Sequence, residues 1–287
     1  MKSKSPLAPK KNKNLNLFEG ISVSSTHCGL KKNKKLDLVL IKLDEPGSIL
    51  GSFTKSKTPG EPIIWNKSII KKKKVSAILI NSGNANVFTG PAGKKAIFDI
   101  IKALSFHLGV PKNEIFLAST GVIGEPLDSE KIIRKIPLLI KSQKNERSAW
   151  TRAADAIRTT DTYAKYHSEI VSSKDSLFIN GIAKGSGMIQ PNMATMLSFI
   201  FTNTDILNKK VELGFKEIIN KTFNSISVDG DTSTSDMVLL FSVNNKKLFT
   251  KSKEIQTKFL EKLELLMTTL SHLIVKDGEG ASKFITV

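Results

Sequence analysis

The chain has 287 residues, and its 44 Lys and Arg against 26 Asp and Glu give a formal net charge of +18. A hydrophobic fraction of 40% is enough to bury a core, which excludes global disorder. Uninterrupted apolar runs such as residues 237–241 are far shorter than the roughly 20 residues that cross a bilayer. We therefore expect a globular protein that does not span a membrane.

Along the chain, a Lys-rich leader over residues 1–15 is expected to be disordered, with order beginning near Leu17. Short runs rich in Ile, Val, Leu and Phe then predict strands. Helices are predicted where apolar residues recur every three to four positions, as in the segment between Pro91 and Gly109. The predicted strands cover residues 21–24, 36–43, 52–54, 75–81, 114–118, 177–183, 196–202 and 237–243, and the predicted helices cover 92–108, 129–139, 148–157, 208–223 and 253–275. This mixture indicates an α+β fold, and no repeat or linker separates independent domains.

The excess positive charge is almost entirely lysine, since only four of the 44 basic residues are Arg. Because the guanidinium fork is the usual tool for bidentate contacts with phosphates and bases, we do not expect a nucleic-acid partner. The lysine runs at residues 31–35 and 71–74 are predicted to be solvated turns between strands. The basic N-terminus lacks the apolar run of a signal peptide, and the single Cys28 cannot form an internal disulfide. These features predict a cytoplasmic protein.

Five segments place small, Gly-rich and hydroxyl-bearing residues directly after predicted buried strands, where backbone can approach a ligand. They are residues 81–90, 119–127, 159–165, 181–197 and 225–236. None fits a general template: the GSG at residues 185–187 is neither a Walker loop nor a nucleophile elbow. Asp229, Asp231 and Ser233 have the spacing of a calcium-binding loop, but Thr234 and Leu240 stand where that loop needs Gly and Glu. Four scattered His residues favour neither a zinc site nor a Ser-His-Asp triad, so no metal is expected.

Without a promising His or Cys, Thr195 is a candidate nucleophile, because it follows a Gly- and Pro-containing loop and opens a predicted strand. The commoner use of such a residue is simply to begin a strand. If the Ala194–Thr195 peptide breaks, however, the new α-amino group of Thr195 lies beside its own hydroxyl and can act as general base at neutral pH. That chemistry needs no histidine.

The motifs KGSGMIQPNMATML (184–197), STGVIGEPL, NSGNAN, TTDT and VDGDTSTSD resemble those of the ornithine acetyltransferase family of arginine biosynthesis, the glutamate N-acetyltransferase or ArgJ type. The resemblance runs from about Leu17 to the last residue. It implies an αββα sandwich related to an aminopeptidase fold and a precursor that cleaves itself between Ala194 and Thr195. The resulting α chain (16–194) and β chain (195–287) would form one intertwined unit that assembles as α2β2.

The resemblance also implies roles for individual residues. Thr195 would be both the cleavage residue and the acyl nucleophile, and Thr120 with Gly121 would form the oxyanion hole. The amino-acid substrate would be contacted by Lys184, through its carboxylate, by Glu279, through its ammonium, and by a Thr of the TTDT motif. Thr160 is the preferred Thr, and Thr159 and Thr162 remain alternatives. Taken without the resemblance, Lys184 would be a solvated lysine and Glu279 a turn carboxylate.

The implied reaction is ping-pong: Thr195 takes the acetyl group of N-acetylornithine, ornithine leaves, and glutamate accepts the acetyl group. No cofactor is expected, and acetyl-CoA as an additional donor is left open. Two other classes remain as alternatives, namely an amidase or aminopeptidase with the same N-terminal nucleophile, and a basic binding protein or inactive fragment. Family chains continue past the segment that ends at Val287, so we expect a truncated product whose last residues begin a strand.

Overall fold

The fold was obtained as a computed structural model, which describes residues 3–10, 15–190, 196–243 and 252–287. The strands are β1 (Ile21–Thr26), β2 (Leu38–Phe53), β3 (Lys74–Asn84), β4 (Ile115–Val122), β5 (Lys165–Ser172), β6 (Leu177–Lys184), β7 (Leu197–Thr202) and β8 (Met237–Ser242). The helices are α1 (Glu61–Ile69), α2 (Gly90–Leu108), α3 (Ser129–Ile133), α4 (Ile136–Lys141), α5 (Arg147–Ala156), α6 (Lys209–Lys221) and α7 (Lys253–Lys276).

The strands form one hydrogen-bonded path in the order β4-β3-β2-β8-β7-β6-β5, with β1 paired to β2. Two neighbouring pairs are parallel, β3 with β4 and β7 with β8, and the remaining pairs are antiparallel. The first part of β2 pairs with β1 and β3, whereas its last six residues pair with β8. Strand β2 therefore connects two halves of the sheet.

Along each strand, alternate residues point to opposite faces of the sheet and belong to different hydrophobic clusters. The clusters show that the fold has four layers. One cluster joins Ile41 and Ile78 from one half with Phe199 and Leu239 from the other. On the outer faces, β2 to β4 pack on helices α2, α3 and α4, whereas β5 to β8 pack on α6 and α7. The two halves thus face each other between helical layers, which confirms the α+β, αββα sandwich.

Strand β2 is longer than the sequence predicted, because the two strands expected at 36–43 and 52–54 are one continuous strand. The turn-like residues between them form a bulge, and the register shifts between Lys42 and Gly47. A Cβ on Gly47 would lie 2.1 Å from the carbonyl oxygen of Ser242. Only glycine therefore allows β2 to cross to β8 here.

Other differences have local causes. The helix predicted over 129–139 is divided into α3 and α4, and a proline lies in the first turn of α4, where it cannot continue a preceding helix. Helix α1 and strand β5 were not predicted. The sequence of β5, KYHSEIVS, is largely polar, as is common for a strand at a sheet edge.

Both termini also differ from expectation. In the leader predicted to be disordered, the Ser5 hydroxyl donates to the Lys276 carbonyl at 2.6 Å, and Leu15 is buried. At the other end, residues 281–287 form no strand. The ring centroids of Phe284 and His272 are 5.0 Å apart. Within the described residues, no helix is both long enough and apolar enough to span a membrane. The boundary between α and β chains at Ala194–Thr195 stays a prediction.

Candidate active site

The five polar segments converge on one cleft of about 730 Å³. Each segment contributes at least one residue to its wall, although the segments leave different strands and helices. The residue after helix α7 that the resemblance implicates also lies in this wall. The lining residues from these regions include Gly83, Thr120, Gly121, Thr159, Thr160, Lys184, Gly187, Asp229 and Glu279. All the predicted oxyanion and substrate residues in the described part of the chain are therefore neighbours.

Thr120 and Gly121 lie near the carboxyl end of β4, beside the parallel strand β3. Gly121 has a φ of +132°, and a Cβ built on it would lie 2.4 Å from the carbonyl carbon of Gly83. Both the backbone conformation and the close approach therefore require glycine. Thr120 is buried, yet it also lines the cleft. This arrangement holds a backbone N–H and a side-chain hydroxyl on a rigid strand, as an oxyanion site needs.

Lys184 ends strand β6 and is buried. The Lys-rich composition of the chain had suggested a solvated lysine instead. Its Nζ donates to Thr159 Oγ1 at 2.8 Å and to Thr120 Oγ1 at 3.1 Å. Burial lowers the pKa of Lys184, although the nearby Asp161 carboxylate acts in the opposite direction. A buried ammonium held by two neutral hydroxyls is well suited to receive a substrate carboxylate.

Behind Lys184 lies a fully buried ion network that the sequence did not indicate. The ammonium of Lys165 lies 2.7 Å from Asp161 Oδ1 and 2.6 Å from Asp277 Oδ2. Asp161 also accepts the backbone N–H groups of Thr159 at 3.0 Å and Gly185 at 2.7 Å. Burial would raise the pKa of Asp161, but Lys165 and Lys184 outweigh burial and hold it below its usual value. The network thus connects the TTDT segment, the KGSG segment and the end of α7.

Thr160 and Glu279 line the cleft and are linked to each other through Ser186. Thr160 Oγ1 lies 2.7 Å from Ser186 Oγ, and the backbone N–H of Glu279 donates to the Ser186 carbonyl at 2.8 Å. A Cβ added to Gly187 would lie 3.0 Å from Glu279 Oε1. Glycine at position 187 therefore leaves room for the Glu279 carboxylate. The Thr162 hydroxyl, in contrast, binds Asp277 at 2.5 Å. Of the three threonines left open, Thr162 is therefore engaged behind the cleft.

Asp229 is hydrogen-bonded to the backbone of the loop that follows β6. Its carboxylate accepts the backbone N–H groups of Met188 at 2.6 Å and Ile189 at 2.8 Å. This agrees with a turn rather than a calcium loop. In the part of the chain that the structure describes, no group of three or more His, Cys, Asp or Glu side chains could hold a metal ion.

Asp236 is a buried carboxylic acid at the start of β8 that the sequence analysis did not single out. Its Oδ1 accepts the backbone N–H of Met196 at 2.8 Å, and its Oδ2 has no hydrogen-bond partner among the described residues. Burial raises the pKa of Asp236 to about 7, against opposing contributions from the Met196 N–H, Ser233 and Lys184. An ionisable group near neutrality therefore lies beside the residue that follows Thr195.

The cleft wall also carries basic side chains that the resemblance did not implicate. Lys31, Lys32, Lys35 and Arg158 contribute to its wall. Lys31 is not the solvated turn residue that was predicted, because its Nζ donates to the carbonyls of Leu36 and Ala156, each at 2.9 Å. Burial lowers the pKa of Lys31 to about 8.

Two predicted residues, Ala194 and Thr195, lie outside the described residues, so their roles in cleavage and acyl transfer stay predictions. The residues that sequence reasoning missed are Lys165, Asp161, Asp277 and Asp236. Asp161 lies inside the TTDT motif and Asp236 ends the VDGDTSTSD motif, which was the only signal available for either.

Comparisons with known proteins identify what the chain is similar to. Residues 22–287 match the profile of the ArgJ family. The arginine biosynthesis bifunctional protein ArgJ of Agrobacterium fabrum is 39% identical over 290 residues, which cover 99% of this chain and 70% of that protein.

Two solved structures share the fold. The ornithine acetyltransferase of Mycobacterium tuberculosis, complexed with ornithine, has a TM-score of 0.57 and 25% identity, covering 67% of this chain and 96% of that chain. A Burkholderia β-aminopeptidase has a TM-score of 0.54 at 9% identity over 93% of this chain and 88% of that one, a likeness of fold alone. The profile match and the identity to curated relatives together establish that the chain belongs to the ArgJ family.

Proposed function

We propose that this chain transfers the acetyl group of N-acetylornithine to glutamate in arginine biosynthesis, through an acetyl ester on Thr195. The observation that carries the proposal is the convergence of Thr120, Gly121, Lys184 and Glu279 on one cleft in a member of the ArgJ family. The named relatives and the ornithine-bound neighbour support the same substrates.

In the proposed reaction, cleavage between Ala194 and Thr195 first frees the α-amino group of Thr195. That amine takes the proton of the Thr195 hydroxyl, whose oxygen attacks the acetyl carbonyl. The Thr120 hydroxyl and the Gly121 N–H stabilise the negative charge of the tetrahedral intermediate. The C–N bond to ornithine then breaks, and the departing nitrogen recovers the proton.

The charges of the cleft suit both amino-acid substrates. N-acetylornithine carries a carboxylate and a side-chain ammonium, which match the buried Lys184 ammonium and the Glu279 carboxylate. The Thr160 hydroxyl would add a polar contact. Glutamate then binds in the same cleft, and its amine attacks the acetyl ester to give N-acetylglutamate. Acetyl-CoA as an alternative acetyl donor, the α2β2 assembly and a cytoplasmic location are further parts of this proposal.

The test measures the fate of the acetyl group. Purified protein incubated with N-acetylornithine and glutamate should yield ornithine and N-acetylglutamate in equal amounts, and Thr195→Ala should remove both activity and self-cleavage. Release of acetate at the same rate with and without glutamate would instead favour the amidase alternative. Unaltered transfer in Thr195→Ala would contradict the assignment of the nucleophile.

A further inference from the structure

The contact between Lys184 and Thr120 bears on catalysis as well as on substrate binding. Lys184 Nζ lies 3.1 Å from Thr120 Oγ1. An ammonium has three hydrogen-bond donors and no acceptor, so the threonine oxygen must be the acceptor. The hydroxyl hydrogen of Thr120 is therefore directed away from Lys184.

No acceptor for that hydrogen is present among the described residues, although Thr120 is only 5% exposed. A buried hydroxyl that accepts one bond and leaves its own donor unused is costly unless a ligand completes it. Because Thr120 lines the cleft, the unused donor is available to a group bound there.

The position of Lys184 is itself fixed. Its second hydrogen bond goes to Thr159 Oγ1 at 2.8 Å, and Asp161 holds the N–H groups of both Thr159 and Gly185, the residue after Lys184. Among the described residues, two of the three ammonium donors are thus used by hydroxyls, and the third remains for a substrate carboxylate. One side chain can serve both purposes at once.

We propose that Lys184 is a positioning residue for oxyanion stabilisation: its ammonium holds the Thr120 hydroxyl as a donor directed at the tetrahedral intermediate. This inference rests on the proposed acyl transfer and adds a role beyond substrate binding. A neutral side chain in place of Lys184 frees the Thr120 hydroxyl to rotate. The hydroxyl is then no longer preorganised when charge develops on the acetyl oxygen.

The first test is a double-mutant cycle on the rate of Thr195 acetylation at saturating N-acetylornithine. Thr120→Val is expected to lower this rate about 100 to 1,000-fold, as loss of one oxyanion donor usually does. Lys184→Met is expected to lower the same rate at least about 10-fold, in addition to raising KM. On the Thr120→Val background, Lys184→Met should then cost less than about 3-fold, because the two residues act through one hydrogen bond.

An increase in KM with an unchanged saturated rate in Lys184→Met would overturn the proposal, as would two losses that multiply fully in the double variant. Thr120→Ser keeps the hydroxyl and should lose much less of the rate than Thr120→Val. Lys95→Met, at an exposed position on α2, controls for the Lys-to-Met change and should match the parent protein. Lack of acetyl transfer in the parent protein itself would count against the proposed function instead.

A second measurement needs no variant at Lys184. N-acetyl-1,4-diaminobutane is the donor without its carboxylate, and the parent protein should use it with a raised KM but a saturated rate within about 10-fold of that for N-acetylornithine. The Lys184 ammonium directs the Thr120 hydroxyl whether or not a carboxylate is bound. A saturated rate as low as that of Thr120→Val would show that the carboxylate, rather than Lys184, organises the hydroxyl.

Discussion

Replacement of Lys165 by Met tests the buried ion network most severely. The side chains of Lys165, Asp161 and Asp277 are all fully buried, so the variant leaves two carboxylates without their shared cation. Removing one member of a buried ion pair typically costs about 3 to 5 kcal/mol. At about 2 to 4 °C per kcal/mol for a large domain, the melting temperature should fall by about 6 to 20 °C.

The loss should depend on pH. In the parent protein, Lys165 is the largest influence that holds the pKa of Asp161 below its ordinary value. A depressed carboxyl pKa stabilises the fold above the unfolded value of about 3.9, and this contribution disappears as pH falls through the folded value. Without Lys165, burial is opposed less strongly and the pKa of Asp161 rises, so as pH falls the variant binds a proton that the parent does not. The difference between parent and Lys165→Met should therefore be largest at neutral pH and shrink as pH falls toward about 4.

The assay is thermal melting followed by circular dichroism across that pH range. The double variant Lys165→Met/Asp277→Asn removes one charge of each sign and should recover at least about half of the lost melting temperature. The exposed Lys95→Met is the matched control and should melt like the parent. A Lys165→Met protein within about 3 °C of the parent at neutral pH would refute the reasoning.

Three further predictions concern the cleft. Gly121→Ala should lower the melting temperature more than Gly124→Ala. Both glycines have a positive φ, but an added Cβ collides with backbone only at Gly121. Equal losses would contradict the close approach of Gly121 to Gly83. Thr162→Val should lower the melting temperature, whereas Thr160→Val should mainly raise KM in the transfer assay; the reverse pattern would exchange their roles. Asp236→Asn should gain stability relative to the parent as pH rises from about 4 to about 7, because the pKa of Asp236 is raised to about 7 and its carboxyl stabilises the folded parent less as it ionises. A constant difference over this range would argue against a buried, titrating carboxyl.

The sequence predicted the layers of the fold well because its strands and helices have clear apolar patterns. It failed where structure depends on distant contacts. Strand β2 continues through a Pro-Gly turn signal because Gly47 fits against Ser242, about two hundred residues away in the chain. Strand β5 has few apolar residues, so periodicity could not distinguish it from a loop.

For the candidate site, the five segments rich in small and hydroxyl-bearing residues led to one cleft. Its supporting network was not predictable, because Lys165 and Asp277 are ordinary charged residues in a Lys-rich sequence and are paired only by folding. The same holds for Lys31, which looked like part of a solvated run until its ammonium was found on two buried carbonyls. Local pattern indicates which residues are chemically suitable, whereas long-range packing decides which are desolvated.

The acetyl ester on Thr195 is tested most directly by the mass of the protein after brief incubation with N-acetylornithine and no acceptor. Acyl transfer through Thr195 predicts a fragment of residues 195–287 whose N-terminal Thr195 carries one acetyl ester. Addition of glutamate should remove that acetyl group and release N-acetylglutamate. An uncleaved chain that still transfers acetyl groups, or an acetyl group on any residue other than Thr195, would rule out Thr195 as the processed nucleophile.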